Sequence, residues 1–173
     1  MLEVLNQFVC DECGQIIKIP QEGIVEWIKR RDENKKEYVE GFRIIHTQEA
    51  SPLRKGEKEG CCRYNKHPGC RNMPLPNVLS VANAFVLHFL NPGYFRCSQE
   101  ESLWNECKVT DFYEYTNFAR RITVPYYEEA RFHFNRWIED EKIDLNTPYY
   151  DYKEEFLIHL IETYGGYAET KTK

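Results

Sequence analysis

No stretch of the chain approaches the ~20 consecutive apolar residues that a membrane span requires. The longest candidate, Val78 to Leu90, is interrupted by Ser80, Asn83 and His88. The opening residues, Met1-Leu2-Glu3-Val4-Leu5-Asn6, lack the basic start and apolar run of a secretory signal. No membrane association and a cytoplasmic location are therefore the expectations. An excess of positive charge is missing too. The 23 Lys and Arg stand against 28 Asp and Glu, for a net charge of -5 and an isoelectric point of about 5.6. Proteins that grip phosphate backbones usually present a basic face. Here the basic residues are local (Lys29-Arg30-Arg31, Lys35-Lys36, Arg54-Lys55) and acids surround them.

Several catalytic signatures are absent as well. The chain has no GxGxxG or Walker phosphate loop and no GxSxG elbow. It has no internal repeat. Paired acids such as Glu128-Glu129 and Glu154-Glu155 fall in expected first helical turns, where they complement the helix dipole without any catalytic role. His88, His133 and His159 fall among apolar neighbours in expected helices and read as packed or half-exposed core histidines.

What is present is a globular composition. Across 173 residues, 42% are hydrophobic and 14% aromatic, with 12 Tyr and 10 Phe. That rules out wholesale disorder and is enough chain to bury a core. The cysteines number seven, an odd count without an export signal, which argues for a reducing compartment. In that setting a CxxC pair means metal or redox chemistry. Cys10-Asp11-Glu12-Cys13-Gly14 is such a pair. A thioredoxin-like motif would open a helix, but Ile16-Ile17-Lys18 continues as strand, so the pair reads as half of a structural zinc site. Cys97 and Cys107 read as small buried hydrophobes.

The second half of the site has five candidates: His46, Cys61, Cys62, His67 and Cys70. His46 closes an expected strand and could face the CxxC turn, and Cys61 follows Gly60 as turn ligands often do. The expected ligand set is Cys10, Cys13, His46 and Cys61, holding Zn2+. A pair drawn from Cys62, His67 and Cys70 has acceptable metal spacing and competes with it.

The chain changes character near Pro74-Leu75-Pro76. Before it, Ile24–Ile28 and Tyr38–Ile45 read as an antiparallel hairpin, with Gly41 marking a bulge. Residues 47–73 read as a loop that a metal would pin. After it, helical periods dominate. Leu79, Ala82, Val86, Phe89 and Leu90 form one stripe. Ser98 and Glu101 suggest a capping box for a short helix through Cys107. A third helix starting near Thr110 or Asp111 should bury Phe112, Tyr115, Ala119 and Ile122. A fourth opens at Pro125. A fifth has Thr147 as N-cap, Pro148 in its first turn and Gly165 as a left-handed C-cap. The tail 169–173 reads as frayed. The expected architecture is α+β: a zinc-pinned β-hairpin module over residues 1–74 and a bundle of about five helices over 75–173. The helical part has its own stripes and is expected to survive loss of metal.

The order Cys10-x-x-Cys13-Gly14, Glu22-Gly23-x-Val25-Glu26-Trp27, Gly41-Phe42-Arg43-Ile44-x-His46, Ser51-Pro52, Gly60-Cys61 and Pro125-Tyr126-Tyr127-Glu128-Glu129-Ala130-Arg131 resembles small zinc-knuckle proteins of Bacillus-type bacteria and their phages. The resemblance would span most of the chain. It implies no activity. It favours His46 and Cys61 as ligands and a phage or prophage origin. Cys62 and Cys70 depart from the pattern, so both ligand sets stay open.

The expected function is a non-catalytic, cytoplasmic, zinc-binding interaction or regulatory protein whose partner is another protein; the resemblance suggests a phage-encoded protein acting on a host one. The Tyr126-Tyr127 and Tyr149-Tyr150 helix starts are candidate recognition residues, with Tyr127 and Tyr150 lying off the core stripe. Two alternatives remain. One is a nucleic-acid-binding zinc protein using Lys29, Arg30, Arg31, Lys35 and Lys36. The other is a metal-dependent nuclease, in which His46 after its strand would serve as the nuclease histidine, although no second histidine adjoins it.

Overall fold

The computed structural model describes residues 1–35, 37–53, 60–62, 67–90, 108–141 and 153–167. The expectations for Lys36, Arg54, Lys55, the helix over 98–107 with Cys97 and Cys107, Thr147 to Tyr152, and the tail all lie outside the described residues.

The fold is α+β. Phe8–Val9 (β1) and Ile16–Ile17 (β2) pair antiparallel, Phe8 against Ile17, with the CxxC turn between them. The long strands Gly23–Arg31 (β3) and Glu37–His46 (β4) form the expected hairpin. Their register shifts between Glu26 and Ile28. Gly41 supplies the extra residue at φ 67°, which a side-chain-bearing residue adopts with strain.

A third strand, Cys70–Pro74 (β5), pairs with the other edge of β3 and gives the order β4-β3-β5. This corrects the loop expectation at its C-terminal end. Cys-Arg-Asn-Met-Pro carries none of the β-branched or aromatic residues that signal a strand; the free edge of β3 supplies its order instead.

Leu75–Ser80 (α1) and Ala82–Leu90 (α2) follow, separated at Val81. The residues buried on this stretch are Leu75, Val78, Phe85 and Phe89. Leu79, Ala82, Val86 and Leu90, expected in the stripe, pack at its partly exposed border. α1 lies so close to the sheet that a Cβ on Gly23 would stand 2.7 Å from Leu75 Cδ2.

Phe112–Thr123 (α3) begins as expected, with the Asp111 carboxylate accepting from the Glu114 amide at 2.9 Å. Its buried face is Tyr115, Phe118, Arg121 and Ile122. Phe112, expected in the core, is 56% exposed, because the cap turns the first residue outward.

The expected fourth helix is two pieces, Tyr127–Ala130 (α4) and Phe134–Glu141 (α5). The last is Glu154–Tyr164 (α6). Gly165 ends it at φ 90°, ψ 165°, outside the left-handed helical well that was expected of it.

One core cluster runs from Phe8, Cys10, Cys13 and Cys61 through the sheet to Phe85, Phe89, Tyr115, Phe118 and Ile122. It therefore draws on residues from both sides of Pro74. A second cluster joins α4 to α6 through Tyr127, Ala130, Leu157, Leu160 and Ile161. No helix among the described residues is long and apolar enough to cross a membrane.

Candidate metal centre

The four expected ligands arrive on three separate segments of the chain. Cys10 and Cys13 sit on the tight turn between β1 and β2. There the Gly14 amide donates to the Cys10 carbonyl at 2.9 Å, and the Cys10 amide donates to the Gln15 carbonyl at 2.9 Å. Gly14 closes the turn at φ 68°. His46 is the last residue of β4, opposite Gly23. Cys61 follows Gly60, itself at φ 64°.

The structure brings Cys10, Cys13, His46 and Cys61 together. One ligand atom from each lies within 4.8 Å of all the others. All four residues are buried, none more than 4% exposed. The Cys13 Sγ to His46 Nδ1 distance is 3.4 Å. None of these cysteines is in a disulfide. Three soft sulfurs and an imidazole at this separation could hold one metal ion.

The competing residues do other things. The Cys62 thiol donates to Glu26 Oε1 at 3.0 Å. His67 Nδ1 accepts from the Gly69 amide at 3.2 Å. Cys70 is buried in β5 opposite Ile28. Among the described residues, these three do not join a metal-ligating group.

Without a cation the thiols are in conflict. The hydrogen bond with Cys61 lowers the Cys10 thiol to about 3 despite its burial, and His46 and the amides of Cys13 and Glu12 act in the same direction. The same bond, and burial after it, raise Cys61. Burial first of all raises Cys13. One thiolate forms easily and its neighbours then hold their protons. A divalent cation at the centre would resolve this, because metal-ligating cysteines are thiolates.

The surroundings are built from ion pairs that the sequence did not reveal as such. Asp11, inside the CxxC turn, accepts from the Ile44 amide at 2.7 Å, and its own amide donates to the Ile44 carbonyl at 2.9 Å. The turn is thereby fixed two residues from His46. Arg121 reaches in from α3. It donates to Asp11 Oδ2 at 2.6 Å, to the Val9 carbonyl at 3.0 Å and to both oxygens of Glu128 at 2.6 and 3.1 Å. Glu128 in turn accepts from the Val9 amide at 2.8 Å. Burial opposes the charge on Arg121, but Asp11 and Glu128 outweigh it and hold the guanidinium protonated.

Arg43 does the equivalent on the other side. It pairs with Glu12 in the turn, with Glu26 on β3 at 2.8 Å, and with the Cys61 carbonyl at 3.4 Å. Ser51 Oγ lies 3.0 Å from Cys61 Sγ and accepts from the Cys61 amide at 3.1 Å. Every ligand-bearing segment is thus anchored by a second layer of polar contacts.

These contacts correct two expectations. Glu128 and Glu129 do lie in the first turn of α4, but they are buried and do more than complement its dipole. Glu128 is part of the buried ion network, and Glu129 accepts from the amides of Leu2 at 2.7 Å and Tyr167 at 2.8 Å, gathering both ends of the described chain. Tyr127 is not a recognition residue. It lies in the second core cluster and donates its hydroxyl to Asn117 Oδ1 at 2.7 Å. Tyr126 takes φ 64° just before α4, and this re-aims the pair so that the expected outward member turns in.

No protein-family model, curated protein or solved structure matches this chain.

The basic residues of the hairpin are largely paired with acids. Lys29 and Arg31 meet Glu37 at 2.7 and 3.1 Å, and Arg30 meets Glu40. His46 belongs to the four-residue cluster and is buried, so it does not stand in an open cleft.

Proposed function

We propose that the chain is a non-catalytic cytoplasmic protein that uses one structural zinc ion, held by Cys10, Cys13, His46 and Cys61, to fix a surface that binds another protein. The observation that carries the reading is the burial of four soft donors within mutual reach. Catalytic zinc keeps three protein ligands and an open position for water or substrate, whereas structural zinc is closed by four. The thiolate-rich donor set supports zinc over magnesium or calcium, which take oxygen ligands.

The pairing of Lys29, Arg30 and Arg31 with Glu37 and Glu40 weighs against a phosphate-tracking surface. The burial of His46 weighs against its use as a nuclease base. On the protein-binding side, Tyr113 is 78% exposed beside the exposed Phe112 at the start of α3. Rigid aromatics on a helix are favoured anchors, since they offer area at small entropic cost.

A cobalt-substituted sample tests the closed-site reading. Azide or cyanide added to it should leave the tetrahedral visible spectrum unchanged. A spectrum that shifts with added anion would reveal an open coordination position and return the nuclease reading.

A further inference from the structure

Between the three-stranded sheet and α2 lies a cavity of about 650 Å³, within the range that small-molecule sites occupy. Each strand contributes one apolar and one charged residue two positions apart, which places both on the same face. These are Trp27 and Lys29 on β3, Val39 and Glu37 on β4, and Met73 and Arg71 on β5. From the helical side come Ala84, Phe85 and Phe89 of α2. The Trp27 ring meets Phe85 and Phe89 edge-on, with centroids 5.7 and 5.5 Å apart, so this wall is braced. Lys108 is held at the rim by its backbone. Its amide donates to the Phe89 carbonyl at 3.2 Å, and its carbonyl accepts from Val39 at 2.8 Å.

The interior is apolar and the polarity is gathered at the rim. Lys29, Arg71 and Lys108 face one acid, Glu37, which already serves Lys29 and Arg31. Among the described residues Arg71 and Lys108 have no carboxylate partner; the Arg71 guanidinium donates only to the Pro68 and Cys70 carbonyls. In a protein of net charge -5, this is a local excess of positive charge beside an apolar hollow. Burial and Lys108 lower the His88 pKa, so His88 adds no charge at neutral pH. Among the described residues the Trp27 indole N–H and the His88 imidazole are the only side-chain hydrogen-bonding groups on the apolar walls, too few to read the edge of a base or the hydroxyls of a sugar. An occupant that fits has all its polarity at one end and carries a negative charge there.

We propose that this cavity binds an unbranched fatty acid, its chain against Trp27, Phe85 and Phe89 and its carboxylate at Arg71 and Lys108. The site is separate from the metal centre, and its test does not depend on that reading. Isothermal titration calorimetry of the full chain with octanoate, decanoate and dodecanoate, each below its micelle concentration, should show affinity rising about fourfold per methylene. The heat-capacity change should be negative. Decanol should bind at least about tenfold more weakly than decanoate. Lys108→Glu and Arg71→Glu should each remove most of that preference and leave decanol binding unchanged. Ala84→Trp should fill the hollow and abolish both, with circular dichroism unaltered. Absence of binding at millimolar decanoate, or binding without chain-length dependence, would overturn the proposal. So would an undiminished decanoate affinity in both charge-reversal variants, made at the exposed Arg71 and the half-buried Lys108, whose outcome does not depend on how Ala84→Trp folds.

Discussion

Two regions of the first core reach the same end by opposite means. Around Phe42 the interior is made of rings: Phe42 lies 5.0 Å from Phe118, 4.9 Å from Tyr115 and 5.2 Å from Phe89 between centroids, with Trp27 at 6.1 Å. That side is held by apolar area and offset or edge-on packing, which need no partner from outside the chain. Around Cys10 the interior holds three sulfurs, an imidazole and, just behind them, Asp11, Glu26, Arg43, Arg121 and Glu128. Such groups are costly to bury and stabilise only when every charge is answered. The aromatic side is therefore self-sufficient, and on the proposed reading the cysteine side depends on a cation. Because the two belong to one cluster, failure on one side should propagate to the other.

Chelation is the largest perturbation. Structural zinc contributes apparent binding free energy on the order of 10 kcal/mol, comparable with the whole stability of a domain. Removing it should lower the midpoint of thermal unfolding by at least about 15 °C and abolish the near-ultraviolet dichroism of the aromatic core along with the hairpin. Retention of that aromatic signal after chelation would show that the two sides are independent, as the helical periodicity alone suggested.

Breaking the aromatic side should cost less. Phe42→Ala should destabilise by about 3–5 kcal/mol in urea and leave the metal in place, as elemental analysis can check. Arg121→Met isolates the ion network. It leaves Asp11 and Glu128 buried without their cation, so a loss of about 3–5 kcal/mol is expected, and Glu128→Gln added to it should recover part. No recovery in the double variant would mean that Arg121 acts by packing and not by charge.

Acidification should act on the cysteine side alone. Cys13 and Cys61 are raised, so protons compete for them at neutral pH and metal affinity should strengthen as pH rises and fall as it drops. A pH-independent affinity between 6 and about 8.5, the ordinary thiol value, would contradict thiolate ligation. The smallest effect is expected from Tyr113→Ala, within about 0.5 kcal/mol on stability, while association with a protein partner weakens.

What could be read in the sequence follows from the range of the interactions involved. The α+β class, the β3–β4 hairpin, the Gly41 bulge and the Asp111 start of α3 are local patterns of period and turn chemistry. The choice of Cys10, Cys13, His46 and Cys61 also had local signals: a CxxC turn, a strand end and a Gly-Cys step. β5 had none, because its order comes from the edge of β3. The ion network was equally hidden, since Asp11 and Arg121 are 110 residues apart. The one hint was an arginine beside Ile122 on the apolar stripe of α3, where a charge needs an answering acid. Tyr127 went inward through a single backbone angle at Tyr126, which no periodicity reveals.

X-ray absorption at the zinc edge, on protein purified without added metal, tests the central claim most directly. One zinc per chain is expected, with three sulfurs at about 2.3 Å and one nitrogen at about 2.0–2.1 Å. A shell of four sulfurs would put Cys62 or Cys70 in place of His46. An oxygen in the shell would mean an open site, and no zinc at all would remove the cation on which the cysteine side of the core depends.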